Sequence, residues 1–121
     1  MEQNKLDGLL GLCRKSGKMI LGTDMVLSAV RSEKRKPALV LYAEDVSQNT
    51  KKRICNGCTY HHIELRELPI PCANLGHLLG KSSALAVVSV TDDGFAKAIC
   101  KHLPKEQTLR SRSEEQWEEN I

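Results

Sequence analysis

Residues 38–43 read Ala-Leu-Val-Leu-Tyr-Ala, with no charge to turn towards water on either face. A continuous apolar run of this length is the pattern of a central strand covered on both sides. Residues 84–90, Ala-Leu-Ala-Val-Val-Ser-Val, repeat it and predict a second buried strand. Strands of this kind need helices above and below, and the rest of the chain supplies them. Leu6, Leu9, Leu10 and Cys13 recur at helical spacing, with Gly17 as a stop. Residues 18–21 are a short apolar strand. Gly22-Thr23 opens a second helix, with Val26, Leu27, Ala29 and Val30 facing inward. Arg31, Lys34, Arg35 and Lys36 crowd its far end, where cations suit the helix dipole, and Pro37 ends it.

Ser47 is placed to cap a third helix through Lys51, Lys52, Arg53 and Ile54, with Gly57 as its stop. Residues 60–65 predict another strand. Pro71 opens a short helix through Leu75, Leu78 and Leu79, which Gly80 closes. Asp93 caps a last helix holding Phe95, Ala96, Ile99 and Leu103. Helix and strand thus alternate throughout. The expected fold class is α/β: a three-layer α/β/α sandwich, with a mixed sheet of about four strands and about five helices. It occupies residues 1–104. Residues 105–121 are polar, and their composition suits a mobile tail. Trp117 is the exception there, placed either to dock on the domain or to seek a partner.

A chain of 121 residues holds one core of this kind. Its aromatic residues are few: Phe95, Trp117, Tyr42 and Tyr60. Readers of single-stranded RNA stack bases on aromatic rings, so an RNA partner here would instead be read as a folded shape. Net charge is +3, from 18 basic and 15 acidic residues. Within 14–53 the count is 10 basic against 4 acidic, whereas 105–121 holds 3 against 5. A basic first half with an acidic tail points to a polyanion, although the same charge also serves solubility. The polar start, Met1 to Lys5, is no export signal, and no apolar run is long enough to span a bilayer. The expected location is the cytoplasm, with all five cysteines as reduced thiols.

Two stretches offer chemistry. In Gly17-Lys18-Met19-Ile20-Leu21-Gly22-Thr23-Asp24 a glycine precedes a helix start, where free N–H groups attract phosphate or a base edge. Lys18 would add a phosphate contact. In Gly80-Lys81-Ser82-Ser83-Ala84-Leu85 small residues and hydroxyls let another molecule come close. Each is also what an ordinary turn looks like. Cys55-Asn56-Gly57-Cys58, followed by His61 and His62, has the spacing of a zinc knuckle. No second Cys-x-x-Cys follows, however, and adjacent strand histidines would point to opposite faces. Neither a metal nor another cofactor is expected. Glu44-Asp45 and Asp92-Asp93 suit strand ends and helix caps better than acid–base catalysis, and no nucleophile–base pairing stands out. The chain is read as a non-enzyme.

Leu9 to Val30 (LLGLCRKSGKMILGTDMVLSAV), then LVLYAEDVSQNTKKRI at 39–54, LGHLLGK at 75–81 and AVVSVTDDGFAKAI at 86–99, resembles the bacterial, YlxQ-like branch of the kink-turn-binding L7Ae/L30e ribosomal protein family. The resemblance runs from residue 4 to 103. It implies an α/β/α sandwich that binds RNA kink-turns through a glycine-led helix start, where an Asn, a Glu and a Lys read tandem G·A pairs. Gly22 and Thr23 match that pattern. Asp24 stands where the Asn is expected, Met25 where the Glu is, and Ser28 where the Lys is. The family's second contact, a small-residue loop, falls on Lys81, Ser82, Ser83, Ala84 and Leu85.

The sequence is therefore read as a non-catalytic RNA-binding protein, acting as a monomer, that is either ribosome-associated or kink-turn-binding, with a kink-turn or ribosomal RNA as its partner. Backbone N–H groups at Gly22, Thr23 and Asp24 approach the RNA; Lys18, Arg31 and Lys81 neutralise phosphates; Met25 and Leu85 pack on an unstacked base or sugar. The rival is a protein-interaction module on the same fold. The departures at 24, 25 and 28 favour the rival, and the basic segment opposes it.

Overall fold

The computed structural model describes residues 2–32, 34 and 36–103. Helix and strand alternate without interruption: α1 (Glu2–Lys15), β1 (Met19–Leu21), α2 (Thr23–Arg31), β2 (Leu39–Ala43), α3 (Gln48–His61), β3 (Leu65–Leu68), α4 (Cys72–Leu78), β4 (Val87–Val90) and α5 (Asp93–Lys101). The strands form one sheet in the order β1-β4-β2-β3. β2 and β3 are parallel, and β4 runs antiparallel to both β1 and β2.

Successive residues of a strand face opposite sides of the sheet, which splits the core in two. Leu39, Leu41, Val88 and Val90 pack against Leu6 and Leu10 of α1, Leu75 of α4 and Ile99 of α5. Val40, Tyr42 and Val87 pack against Val26, Leu27 and Val30 of α2 and Ile54 and Cys58 of α3. Every residue of β2 and β4 is buried, as a strand covered on both faces requires. The fold is the expected three-layer α/β/α sandwich, with a mixed four-stranded sheet and five helices among the described residues.

Several local expectations move. Gly57 does not end α3. The helix continues to His61, and His62 closes it in the left-handed conformation at φ 59°. Gly57 has another use: a Cβ there would stand 3.3 Å from Leu27 Cδ2 and 3.8 Å from Val30 Cγ1, so its bareness lets α2 pack close. The strand expected at 60–65 is consequently displaced to β3. His61 lies on α3 and His62 caps it, so the strand argument against a shared His site does not apply. α2 stops at Ser32, whose backbone is extended, leaving Lys34 and Lys36 beyond the helix. The cap of α5 is Asp92, not Asp93: its carboxylate accepts the Phe95 N–H at 2.9 Å. Ser47 caps α3 as expected, accepting from Thr50 N–H at 3.2 Å. Pro104 and the 105–121 segment with Trp117 lie outside the described residues.

Candidate nucleic-acid interface

β1 and β2 run towards the same end of the sheet, and β4 begins there, because Leu21 pairs with Val88 and Tyr42 with Val87. The Gly22 N–H donates to the Val87 carbonyl at 2.9 Å, and the Ala43 N–H to the Ala86 carbonyl at 2.9 Å. The segment leading into β4 therefore arrives between the exits from β1 and β2. Antiparallel pairing thus sets the 81–86 stretch beside the start of α2, although some sixty residues separate them in sequence.

At the α2 start Gly22 takes φ 99° and ψ 142°, a backbone open to glycine and strained for other residues. Its carbonyl accepts the first helical bond, from Val26 N–H at 2.9 Å. Gly22 offers no side chain, so the first-turn N–H groups have no side-chain cap. A Cβ on Gly22 would meet nothing within 4 Å. The open side faces away from the protein. Thr23 is half-buried, while Asp24, Met25 and Ser28 are exposed, Met25 by 63%. Asp24 and Ser28 sit one turn apart on the same face.

Asp24 is engaged from the neighbouring helix: Arg53 Nη2 on α3 lies 3.3 Å from its Oδ1. Both groups are well exposed, so the pair adds little stability. Its effect is positional, setting a guanidinium beside the α2 start where Ser28 supplies no cation. In the sequence Arg53 stands out only as part of a helix. No local pattern reveals it, because the pairing spans 29 residues.

The second element is held by α4. Gly76 is buried, and a Cβ there would overlap the Ser83 carbonyl oxygen and come within 3.0 Å of Ser83 C and 3.1 Å of Ala84 Cα. The loop thus crosses α4 directly over a bare helix position. Lys81 N–H donates to the Gly76 carbonyl at 2.8 Å and Leu85 N–H to the Cys72 carbonyl at 3.1 Å, pinning both ends. Lys81, Ser82, Ser83 and Ala84 are exposed. Leu85 is not: at 7% exposure it belongs to the core with Leu75 and Leu79, and cannot pack on a base as expected.

Two further expected contacts are not brought to this end. Lys18 precedes β1, and its carbonyl accepts from Thr91 N–H at 2.9 Å beyond the far end of β4. Arg31 closes α2, roughly 13 Å of helix from Gly22 at about 1.5 Å per residue. Nearer to hand are Glu44 and Asp45, at the exit from β2. The Glu44 N–H donates to the Ile70 carbonyl at 3.1 Å, and the Asp45 carboxylate accepts the Cys72 N–H at 2.7 Å. Hydrogen bonds from Cys72, thiol first and then backbone, hold Asp45 below the usual carboxylate range. Both acids tie strand ends and the start of α4 together, which is a structural use.

Cys58, Cys13 and Cys72 are poor nucleophiles. Burial pushes Cys58 up to about 12 and Cys13 to about 11, with Cys55 and Asp92 respectively adding to the rise. Burial and the neighbouring Asp45 push Cys72 to about 11. Among the described residues no three His, Cys, Asp or Glu side chains converge as metal ligands. None of the described helices is long and apolar enough to cross a membrane.

Comparison with known proteins agrees with this architecture. Residues 4–100 match the model of the ribosomal protein L7Ae/L30e/S12e/Gadd45 family. The chain is 38% identical over 91 residues to an RNA-binding protein YlxQ of Bacillus subtilis (strain 168), covering 75% of this chain and 87% of that protein. It is 34% identical over 95 residues to an RNA-binding protein YlxQ of Enterococcus faecium, covering 78% and 87%. A solved structure of a protein with unknown function from Bacillus halodurans C superposes with a TM-score of 0.73 at 26% identity, covering 81% of this chain and 95% of that one. With a glycine-led α2, a small-residue loop beside it and matches of this extent, the chain belongs to the ribosomal protein L7Ae/L30e/S12e/Gadd45 family.

Proposed function

We propose that this chain is a non-catalytic RNA-binding protein of the cytoplasm, and that it takes a structured RNA, a kink-turn or ribosomal RNA, on the surface made by the α2 start and the 81–84 loop. The observation that carries the reading is their juxtaposition: an uncapped helix start under a positive-φ glycine, beside an exposed loop of small residues with a lysine. Uncapped N–H groups at a helix start favour phosphate or a polar base edge. Lys81 and Arg53 supply cations for the backbone, and Met25 an apolar contact for a sugar or unstacked base. Ser82, Ser83 and Ala84 let the RNA approach without obstruction. That two relatives bear the name RNA-binding protein supports the reading.

The test is a titration of a kink-turn RNA against a straight duplex, at matched salt and over a salt series. Lys81→Ala and Arg53→Ala should each weaken binding and reduce the salt slope by about one counterion. Lys18→Ala, at the opposite end of β1, should leave both nearly unchanged. Asp24→Asn, Met25→Glu and Ser28→Lys together restore a donor, an acceptor and a cation, and should tighten kink-turn binding by about tenfold or more. A specific observation favours the rival, a protein-interaction module: Met25 is an exposed apolar side chain where a hydrogen-bonding one is expected. If the wild type shows no preference for the kink-turn and the triple variant gains none, that rival replaces the RNA reading.

A further inference from the structure

On the outer surface of their layer, α1 and α5 leave a groove. Its floor is apolar and small: Leu9, Leu12, Gly8 and Ala98 line it, and Leu12 is 55% exposed. Gly8 leaves open space where a side chain would stand. Three lysines, Lys5, Lys97 and Lys101, border the groove, and no acidic residue does. All three are exposed, and none forms an ion pair among the described residues. The neighbouring grooves differ in this respect. The one on the other flank of α5 shares Lys97 and Lys101 but sets Glu64 and Asp93 beside them, and the one beside α4 has Asp7 with no lysine or arginine. An apolar floor with a wholly cationic rim fits an apolar side chain flanked by carboxylates.

The chain carries such a segment. Residues 114–119 read Glu-Glu-Gln-Trp-Glu-Glu, four acids around the only tryptophan. We propose that this C-terminal segment docks in cis on the α1/α5 groove, with Trp117 over Leu9, Leu12 and Ala98 and its glutamates paired with Lys5, Lys97 and Lys101. The chain leaves α5 at Lys101, which itself borders the groove. Residues 104–116 can span over ~40 Å when extended, so reach is no obstacle. A tether of this length also raises the local concentration of the segment to roughly the millimolar range, so a weak contact suffices. Indole is the largest apolar side chain in the sequence, and it stands in the most acidic stretch.

The experiment uses the full-length chain, in which Trp117 is the sole tryptophan and its fluorescence reports on that position alone. The wild type should emit to the blue of free tryptophan, with acrylamide quenching several-fold weaker than that of a free indole. Neither property should change on dilution. Lys97→Glu with Lys101→Glu should shift emission to the red and restore quenching, and high salt should act in the same direction by screening the pairs. Leu12→Asp, an exposed position whose change leaves the core intact, should do likewise. Circular dichroism confirms that each variant is folded. A wild-type spectrum matching free tryptophan overturns the proposal. So does a blue-shifted spectrum that neither set of variants alters, since Trp117 is then buried elsewhere. A spectrum that reddens on dilution also overturns it, because the occupant is then the segment of a second copy.

Discussion

Replacing Gly76 by alanine sets two well-known effects against each other. In an unobstructed helix the change is favourable by about 1 kcal/mol, because alanine restricts the unfolded chain and favours the helix. At Gly76 the added methyl would stand 3.0 Å from Ser83 C and 3.1 Å from Ala84 Cα, with the Ser83 carbonyl oxygen nearer still. Carbon atoms reach their optimal separation at about 3.5 Å or more. The obstacle is backbone, so no rotamer change relieves it and the loop must retreat. Overpacking of this kind costs about 3 kcal/mol at the upper end of its usual range. The retreat also stretches the bonds Lys81 N–H to Gly76 O and Leu85 N–H to Cys72 O. The net expectation is destabilisation by about 2 kcal/mol. Gly11→Ala in α1 is the matched control, since its Cβ would meet nothing within 4 Å, and it should stabilise by about 0.5–1 kcal/mol. Urea denaturation of the three proteins reads both values. Thermal midpoints should move in opposite directions, with a gap on the order of 10 °C. Gly76→Ala should also weaken RNA binding, because it displaces Lys81–Ala84 and leaves α2 untouched. If Gly76→Ala proves as stable as wild type or more so, the loop does not cross α4 at this position and the reasoning fails.

Two further outcomes follow from caps and thiols. Asp92→Ala removes the acceptor for Phe95 N–H and should lower stability by about 1 kcal/mol. Asp93→Ala should stay within roughly 0.5 kcal/mol in the same chemical denaturation, and equal losses would mean the cap is misassigned. Cys58 and Cys13, pushed by burial up to about 12 and about 11, should resist alkylation at pH 8 in the native protein and react on unfolding. The same shifts set a pH dependence. The unfolded thiols ionise first, so their contribution to stability is full below about pH 9 and is lost as pH rises towards 11–12. A Cys58→Ala variant should show a shallower alkaline decline in denaturation midpoint, and an unchanged decline would count against the buried thiol as its source.

The sequence by itself determined which segments are buried on two faces. Apolar runs at 38–43 and 84–90 have no polar side to turn to water, so only a covered strand accommodates them. Alternation with amphipathic stretches then made a helix-covered sheet the expected architecture. Local chemistry, namely Ser47 accepting from Thr50 N–H, was also legible, because caps depend on near neighbours. Tertiary structure decided what depends on distant ones. Gly57 reads as a stop in sequence and is a close-packing position in α3, because Leu27 and Val30 approach it from another helix. Gly76 carries no turn signal, yet its bareness admits the loop. Arg53 reaches Asp24 only because α2 and α3 lie side by side. Lys18 and Arg31 seem close to Gly22 along the chain, but one strand and one helix carry them to the far end. Leu85, read as a contact, is drawn into the core by its bond to Cys72. Backbone propensity acts over a few residues, whereas the candidate site is an accident of strand order: antiparallel β1 and β4 bring the two ends of a sixty-residue stretch together.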